Sequence, residues 1–233
     1  GAVRLCGEAA LRTGAGRVSI ATHPAHASSI VMSRPELMCH AVDDLKKLEQ
    51  LVDKADVIAF GPGLGQDDWA RQLYSLAAAA SLPSVWDADA LNLLAVSPAV
   101  ADDRIITPHP GEAGSLLASS AGAVQADRPA ALAGLVEKYG GVAVLKGAGS
   151  LVSSASGIPW LCTSGNPGMA APGMGDVLTG IIAALLGQGL LPEQAATTGV
   201  EVHAQAGDRA AQVGERGLLA SELMRELRGV INR

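Results

Sequence analysis

Aromatic residues are scarce: Phe, Trp and Tyr make up 3% of the 233 positions. That leaves too few flat side chains for a base-stacking surface. The 48% hydrophobic content comes mainly from Ala, Leu and Val, which suits helices packed closely on a sheet. Basic charge is short as well. Lys and Arg number 17 against 23 Asp and Glu, giving a formal net charge of -6 without any Lys/Arg cluster, so no nucleic acid partner is expected. Cys6, Cys39 and Cys162 are odd in number and lack paired spacing, so neither a disulfide framework nor a zinc site is signalled and a reducing cytoplasm is the expected home. Long hydrophobic runs are missing too. The greasiest segment, Val177 to Leu191, is interrupted by Thr179, Gly180, Gly187, Gln188 and Gly189. It falls short of the roughly 20 apolar residues that a bilayer crossing needs and reads as a core helix, with no membrane partner. The opening GAVRLCGEAALRTGAG patterns as a helix closed by glycine, not as a charged-then-apolar leader, which predicts an unexported chain.

Short β-branched runs alternate with Ala/Leu-rich stretches, the pattern of parallel β-α units. Strands are predicted at Arg17–Thr22, Asp56–Phe60, Ser84–Asp87, Arg104–Thr107 and Val142–Lys146, with helices at Asp67–Ala80, Gly111–Ala118 and Asp127–Tyr139. Leu151–Ser154 and Trp160–Thr163, joined by SASGIP, read as a hairpin, and the rest is almost wholly helical. Without a fixed-period repeat or a low-complexity linker, residues 1–233 are expected to form one α/β domain. A β-α fold ordinarily supplies a strand before its first helix, so the first strand is expected to be missing from this chain.

Four predicted strands end in polar or glycine motifs: AFGPGLG (59–65), WDADALN (86–92), ITPHPGE (106–112) and VLKGAGS (144–150). Ligands of open parallel sheets bind beyond the carboxyl ends of the strands, so the four are expected to line one cleft. Each has a plainer reading beside the functional one. Gly61, Gly63 and Gly65 serve a tight turn or a ligand; Asp87 and Asp89 cap the next helix or face the cleft. His109, stiffened between Pro108 and Pro110, is aimed by its backbone, and Glu112 favours a helix N-terminus or contacts metal or water. Lys146 ends a buried strand, where a lone ammonium is costly unless an anion or carboxylate pairs with it.

The segment GNPGMAAPGMGDVLTGIIAALLGQG (165–189) sets one carboxylate, Asp176, between a glycine-rich loop and an apolar helix. Gly173-Met174-Gly175 lets the backbone approach an anion, and the helix end adds its positive dipole. Asp176 would then accept a proton from a hydroxyl attacking a phosphoryl group. A helix cap accounts for the Asp but not for the glycines before it.

GPGLG, DADALN, ITPHPGE, KGAG and GNPGM followed by GMGDVLTGIIAALLGQG, in this order, resemble the ADP- or ATP-dependent NAD(P)H-hydrate dehydratases of the ribokinase-like superfamily, over Gly1 to about Leu227. The resemblance implies a three-layer fold, a central mostly parallel sheet with helices on both faces. It implies repair of NADHX and NADPHX (the S epimer), the hydrated, redox-dead forms of NADH and NADPH, by phosphorylation of the 6-hydroxyl and loss of phosphate. Carried over residue by residue, Asp176 is the general base and a hydrate contact, and Gly173 and Gly175 form the anion hole. Lys146, Gly147, Ala148, Gly149 and Ser150 receive the nucleotide, with Gly175 touching it as well. Ala2, Gly63, His109 and Asn166 meet the hydrate, near Asp89 and Asn92. The resemblance also implies Mg2+ with the nucleotide, no dedicated protein metal site, an NAD(P)HX epimerase domain or protein as partner, and a homo-oligomer, a tetramer.

The family usually has threonine at Ser150, and a small hydroxyl residue and glycine at Ala171 and Pro172. Pro172 is expected to cost the anion hole one N–H donor. Two other readings remain open: a vitamin-precursor kinase of the same superfamily, which would release a phosphorylated product, and a nucleotide-binding regulatory protein with a dead site.

Overall fold

The computed structural model describes residues 1–232. Six strands form the main sheet, in the order β3-β4-β5-β6-β7-β8: Ile58–Phe60, Ser84–Trp86, Arg104–Ile106, Val142–Leu145, Leu151–Ser154 and Trp160–Leu161. The first four run parallel and the last two join antiparallel, as the hairpin pattern predicted. The observed strands stop short of the predicted ones. Their polar C-terminal residues, Asp87, Thr107 and Lys146, leave the sheet to enter the loops.

β4, β5 and β6 are buried throughout, which is why they read as continuous apolar runs rather than alternating ones. Successive side chains still point to opposite faces. Val85, Ile105, Val142 and Val144 pack with Val177, Ile181 and Leu185 of α9 (Met174–Gly187), together with α10 (Pro192–Ala210) and α11 (Ala220–Ile231). Trp86, Ile106, Ala143 and Leu145 pack on the other face with α4 (Asp68–Ala79), α5 (Asp89–Val96), α6 (Pro110–Leu116) and α8 (Arg128–Tyr139). A short α7 (Ala121–Ala126) links the last two. The result is the three-layer arrangement the resemblance implied.

α9 is apolar on all sides because it lies between the sheet, α10 and α1 (Ala2–Thr13). Its contact with α1 is intimate: a Cβ on Gly180 would lie 2.0 Å from the Cys6 carbonyl oxygen. That approach sets the middle of α9 directly against the backbone of α1.

One expectation needs correction. The strand predicted at Arg17–Thr22 forms as β1 (Ser19–Thr22) but does not join the main sheet; it pairs in parallel with β2 (Met38–Ala41) in a separate two-stranded sheet. Among the described residues no strand bridges β1 and β3. β2 and its flanking helices α2 (Pro24–Ser33) and α3 (Leu45–Val52) were not predicted at all. β2 is half exposed and shows no alternation, and α2 buries a single residue, Ile30, so neither carries the periodicity that betrays an element. No helix among the described residues is long and apolar enough to cross a membrane.

Candidate active site

Because β3 to β6 are parallel neighbours, their four C-terminal motifs emerge along one edge of the sheet. The first two are bonded together. Gly61 (φ +118°) packs so tightly that a Cβ there would lie 1.8 Å from the Asp87 carbonyl oxygen, and Gly65 N–H donates to Asp89 Oδ2 at 2.8 Å. Ala88, between the two aspartates, sits at φ 49°, a left-handed conformation costly for a residue with a Cβ. Across this turn, a Cβ on Gly63 would come 3.3 Å from that of Ala2.

Lys146 finds its partner inside the site. Its Nζ lies 2.6 Å from Asp87 Oδ1 and 3.8 Å from Glu112 Oε2, which brings the second, third and fourth motifs onto one ammonium. The other oxygen of Asp87 accepts from Thr179 Oγ1 of α9 at 2.9 Å, and the Gly175 carbonyl lies 3.1 Å from the same hydroxyl. Burial opposes the charge on Asp87, yet the Lys146 ammonium and these hydrogen bonds hold its carboxyl below the usual carboxylate range. Asp87 is therefore a buried anion that pins the head of α9 to the end of β6. A Cβ on Gly175 would lie 3.2 Å from Lys146 Nζ and 3.4 Å from Asp87 Oδ2, so glycine keeps this corner open.

At the head of α9, Gly173 (φ +90°) is the N-cap. The first helical bond runs from Val177 N–H to the Gly173 carbonyl, and Met174 N–H reaches Ala171 at 3.4 Å; the N–H groups of Gly173, Gly175 and Asp176 take no backbone acceptor among the described residues. Three donors at a helix N-terminus form a ready anion site. Asp176 stands over them half-buried. Burial, reinforced by the nearby Asp87 and partly offset by Lys146, pushes its carboxyl up to about 6, which suits a proton acceptor working near neutral pH.

The turn after β6 holds further donors. Gly147, Ala148, Gly149 and Ser150 have N–H groups with no backbone acceptor among the described residues, and Gly147 (φ +151°) and Gly149 (φ +71°) take conformations that favour glycine. His109 caps α6: its Nδ1 accepts from Gly111 and Glu112 N–H, while Glu112 Oε2 accepts from His109 N–H at 2.8 Å. The ring's outer edge stays exposed. Asn166 belongs to a loop fastened to α10, where Gly165 N–H and Asn166 Nδ2 both donate to Asp208 at 2.9 Å, and Asn166 Oδ1 accepts from Gly168 N–H.

A family model described as NAD(P)H-hydrate dehydratase matches residues 1–228. The chain belongs to this family. Over 233 residues it is 51% identical to a bifunctional NAD(P)H-hydrate repair enzyme of Coxiella burnetii, covering all of this chain and 48% of that protein, so it spans about half the length of the curated relatives it matches. A ribokinase-like superfamily protein from Enterococcus faecalis superposes with a TM-score of 0.91 at 28% identity, covering 99% of this chain and 82% of that one. An ADP/ATP-dependent NAD(P)H-hydrate dehydratase from Bacillus subtilis, co-crystallised with ATP/Mg2+, gives 0.86 at 29% identity over 100% and 84%. The fold is ribokinase-like.

Within the dehydratase family's frame, the structure gathers Asp176, Gly173, Gly175 and Lys146 around one corner, with the Gly147–Ser150 turn continuing from Lys146 and with Gly63 against Ala2. Asn166 is held by its own loop and by α10, its Oδ1 accepting from Gly168 N–H and its Nδ2 donating to Asp208. Asp87, Thr179 and Glu112 were missed as a set. The signal available was Lys146 itself, a buried lysine that required an anion or a carboxylate as partner. Pro172 directly precedes the N-cap Gly173, so the donor it lacks would have been a fourth beside those of Gly173, Gly175 and Asp176, which remain free. Pro172→Gly is accordingly expected to leave turnover within about twofold while costing about 0.4–1 kcal/mol through added freedom of the unfolded chain. Turnover and melting temperature measured side by side check this, and a tenfold faster variant would support the missing-donor view.

Proposed function

We propose that this chain dehydrates the S epimers of NADHX and NADPHX to NADH and NADPH at the expense of ADP or ATP. The carrying observation is the half-buried Asp176 carboxyl, held at about 6 beside three free N–H donors and one buried anion away from Lys146. The names of the relatives supply the substrate class; the geometry supplies a route. A nucleotide laid along Gly147–Ser150 would place its terminal phosphoryl between Lys146 and the head of α9. Asp176 takes the proton from the 6-hydroxyl as its oxygen attacks phosphorus, and the nucleotide leaves one phosphate shorter. The donors of Gly173, Gly175 and Asp176 meet the charge gathering on the equatorial oxygens. The C–O bond then breaks with phosphate as leaving group, which hydroxide could not match, and loss of the neighbouring ring proton restores the dihydropyridine.

Carboxylate oxygens are the hard donors that suit Mg2+, but no cluster of three or more metal-binding side chains occurs among the described residues. An ion carried in on the phosphates fits this set, and it would supply charge neutralisation. The bifunctional name and double length of the Coxiella relative support a working partnership with an NAD(P)HX epimerase, as a fused domain or a separate protein.

Incubating the protein with NADPHX and ADP or ATP, while following absorbance of the reduced nicotinamide, tests the reading. Reduced cofactor should appear in step with inorganic phosphate. Accumulation of a phosphorylated small molecule instead would make it a kinase, and no reaction with either nucleotide would make it a binding protein.

A further inference from the structure

Arg128 is the first residue of α8, where the positive end of the helix dipole disfavours a cation. It has no carboxylate within ion-pairing distance among the described residues; burial alone acts on its charge, drawing its pKa down, and its Nε is sealed from solvent without a partner. A guanidinium in so poor a setting needs a reason to be there.

The reason lies in what it bonds. Arg128 Nη1 donates to the Ala148 carbonyl at 2.7 Å and Nη2 to the Leu145 carbonyl at 3.1 Å, and a Cβ on Gly147 would come 3.1 Å from Nη2. The fork thus spans the turn from both ends and lies flat against its glycine. A peptide unit is planar and trans, so its N–H points opposite its C=O. Leu145 illustrates this: its carbonyl faces Arg128 while the N–H of the same unit, on Lys146, donates the other way to the Pro108 carbonyl at 2.9 Å. By the same rule the Ala148 carbonyl, held by Arg128, turns the unbonded Gly149 N–H away from the guanidinium, toward the open side of the turn.

We propose that Arg128 is a positioning residue for the nucleotide: by taking the Leu145 carbonyl at the entry of the Lys146–Ser150 turn and the Ala148 carbonyl within it, it braces the turn and aims the Gly149 N–H at the phosphates of a nucleoside di- or triphosphate. The inference rests on the reading that this turn receives the nucleotide. No carboxylate competes for the guanidinium, so its charge is felt through the turn by an arriving anion.

The test uses Arg128→Ala and Arg128→Lys beside the parent protein, with calorimetric ADP and ATP binding, the KM of nucleotide and hydrate, and melting temperature. Arg128→Ala should raise the nucleotide Kd and KM by about tenfold or more and leave the hydrate KM within twofold, as loss of two charge-assisted hydrogen bonds implies. Arg128→Lys keeps the charge but cannot span both carbonyls, and should fall between. Nucleotide affinity within twofold of the parent in both variants overturns the proposal. So does an equal rise in both KM values with a matching fall in melting temperature, since that marks Arg128 as structural. A parent protein that binds neither nucleotide fails the underlying reading instead, whatever the variants do.

Discussion

Asp176→Asn is expected to lower turnover by about 10²–10⁴-fold while making the protein harder to melt at neutral pH. The two effects share one cause. In the folded protein burial and Asp87 push the Asp176 carboxyl up to about 6, above the ordinary value of 3.8, so the folded state holds a proton that the unfolded chain has already released. Stability linked to this group is fully present below pH 4 and is lost as pH rises through about 6. Asparagine carries no such penalty. The melting temperature of Asp176→Asn relative to the parent should therefore climb between pH 4 and pH 7 and level off above. The parent's kcat/KM should fall as pH drops below about 6, because a base must be unprotonated to accept a proton. Activity within tenfold of the parent would remove Asp176 from the base role, and a flat melting difference across that pH range would remove the raised carboxyl.

The second large effect concerns Lys146. Lys146→Met removes the partner of Asp87, a carboxylate whose side chain is 2% exposed, and breaking a buried pair from one side typically costs about 3–5 kcal/mol. For a chain of this length that is a melting temperature lower by on the order of 10 °C. Nucleotide affinity should fall as well, by about tenfold or more, with loss of a charge-assisted contact to phosphate. The double variant Lys146→Met with Asp87→Asn separates the two: it should regain most of the stability and none of the affinity. If the two single losses simply add, the pair is not coupled. If calorimetry finds ADP binding unchanged in Lys146→Met, the lysine serves the fold alone.

The sequence disclosed the motifs more readily than their partners. The four strand-end turns and the glycine-rich entry to α9 were legible because each places glycine or a lone charge where a buried strand or apolar helix stops. That Lys146 needed a negative partner, an anion or a carboxylate, was legible too. Which one was not, since Asp87 lies 59 residues away and could equally have capped α5. Thr179 looked like an interruption of an apolar run, though it is the link that joins α9 to Asp87. Arg128 drew no attention in the sequence, because its hydrogen bonds go to backbone carbonyls, which leave no trace in side-chain chemistry. β2 and α2 escaped for a different reason: a half-exposed element has no periodic apolar face to read.

The Asp87 hub also bears on the order in which the molecule comes together. Its two bonds close loops of 59 residues to Lys146 and 92 residues to Thr179, and such closure costs chain entropy that local contacts do not return. Helices such as α9 and α10 have neighbours close in sequence and can dock early, whereas the hub needs β4, β6 and α9 already in place. Competence to bind nucleotide is thus expected to return last on refolding, after the far-ultraviolet signal of the helices has recovered.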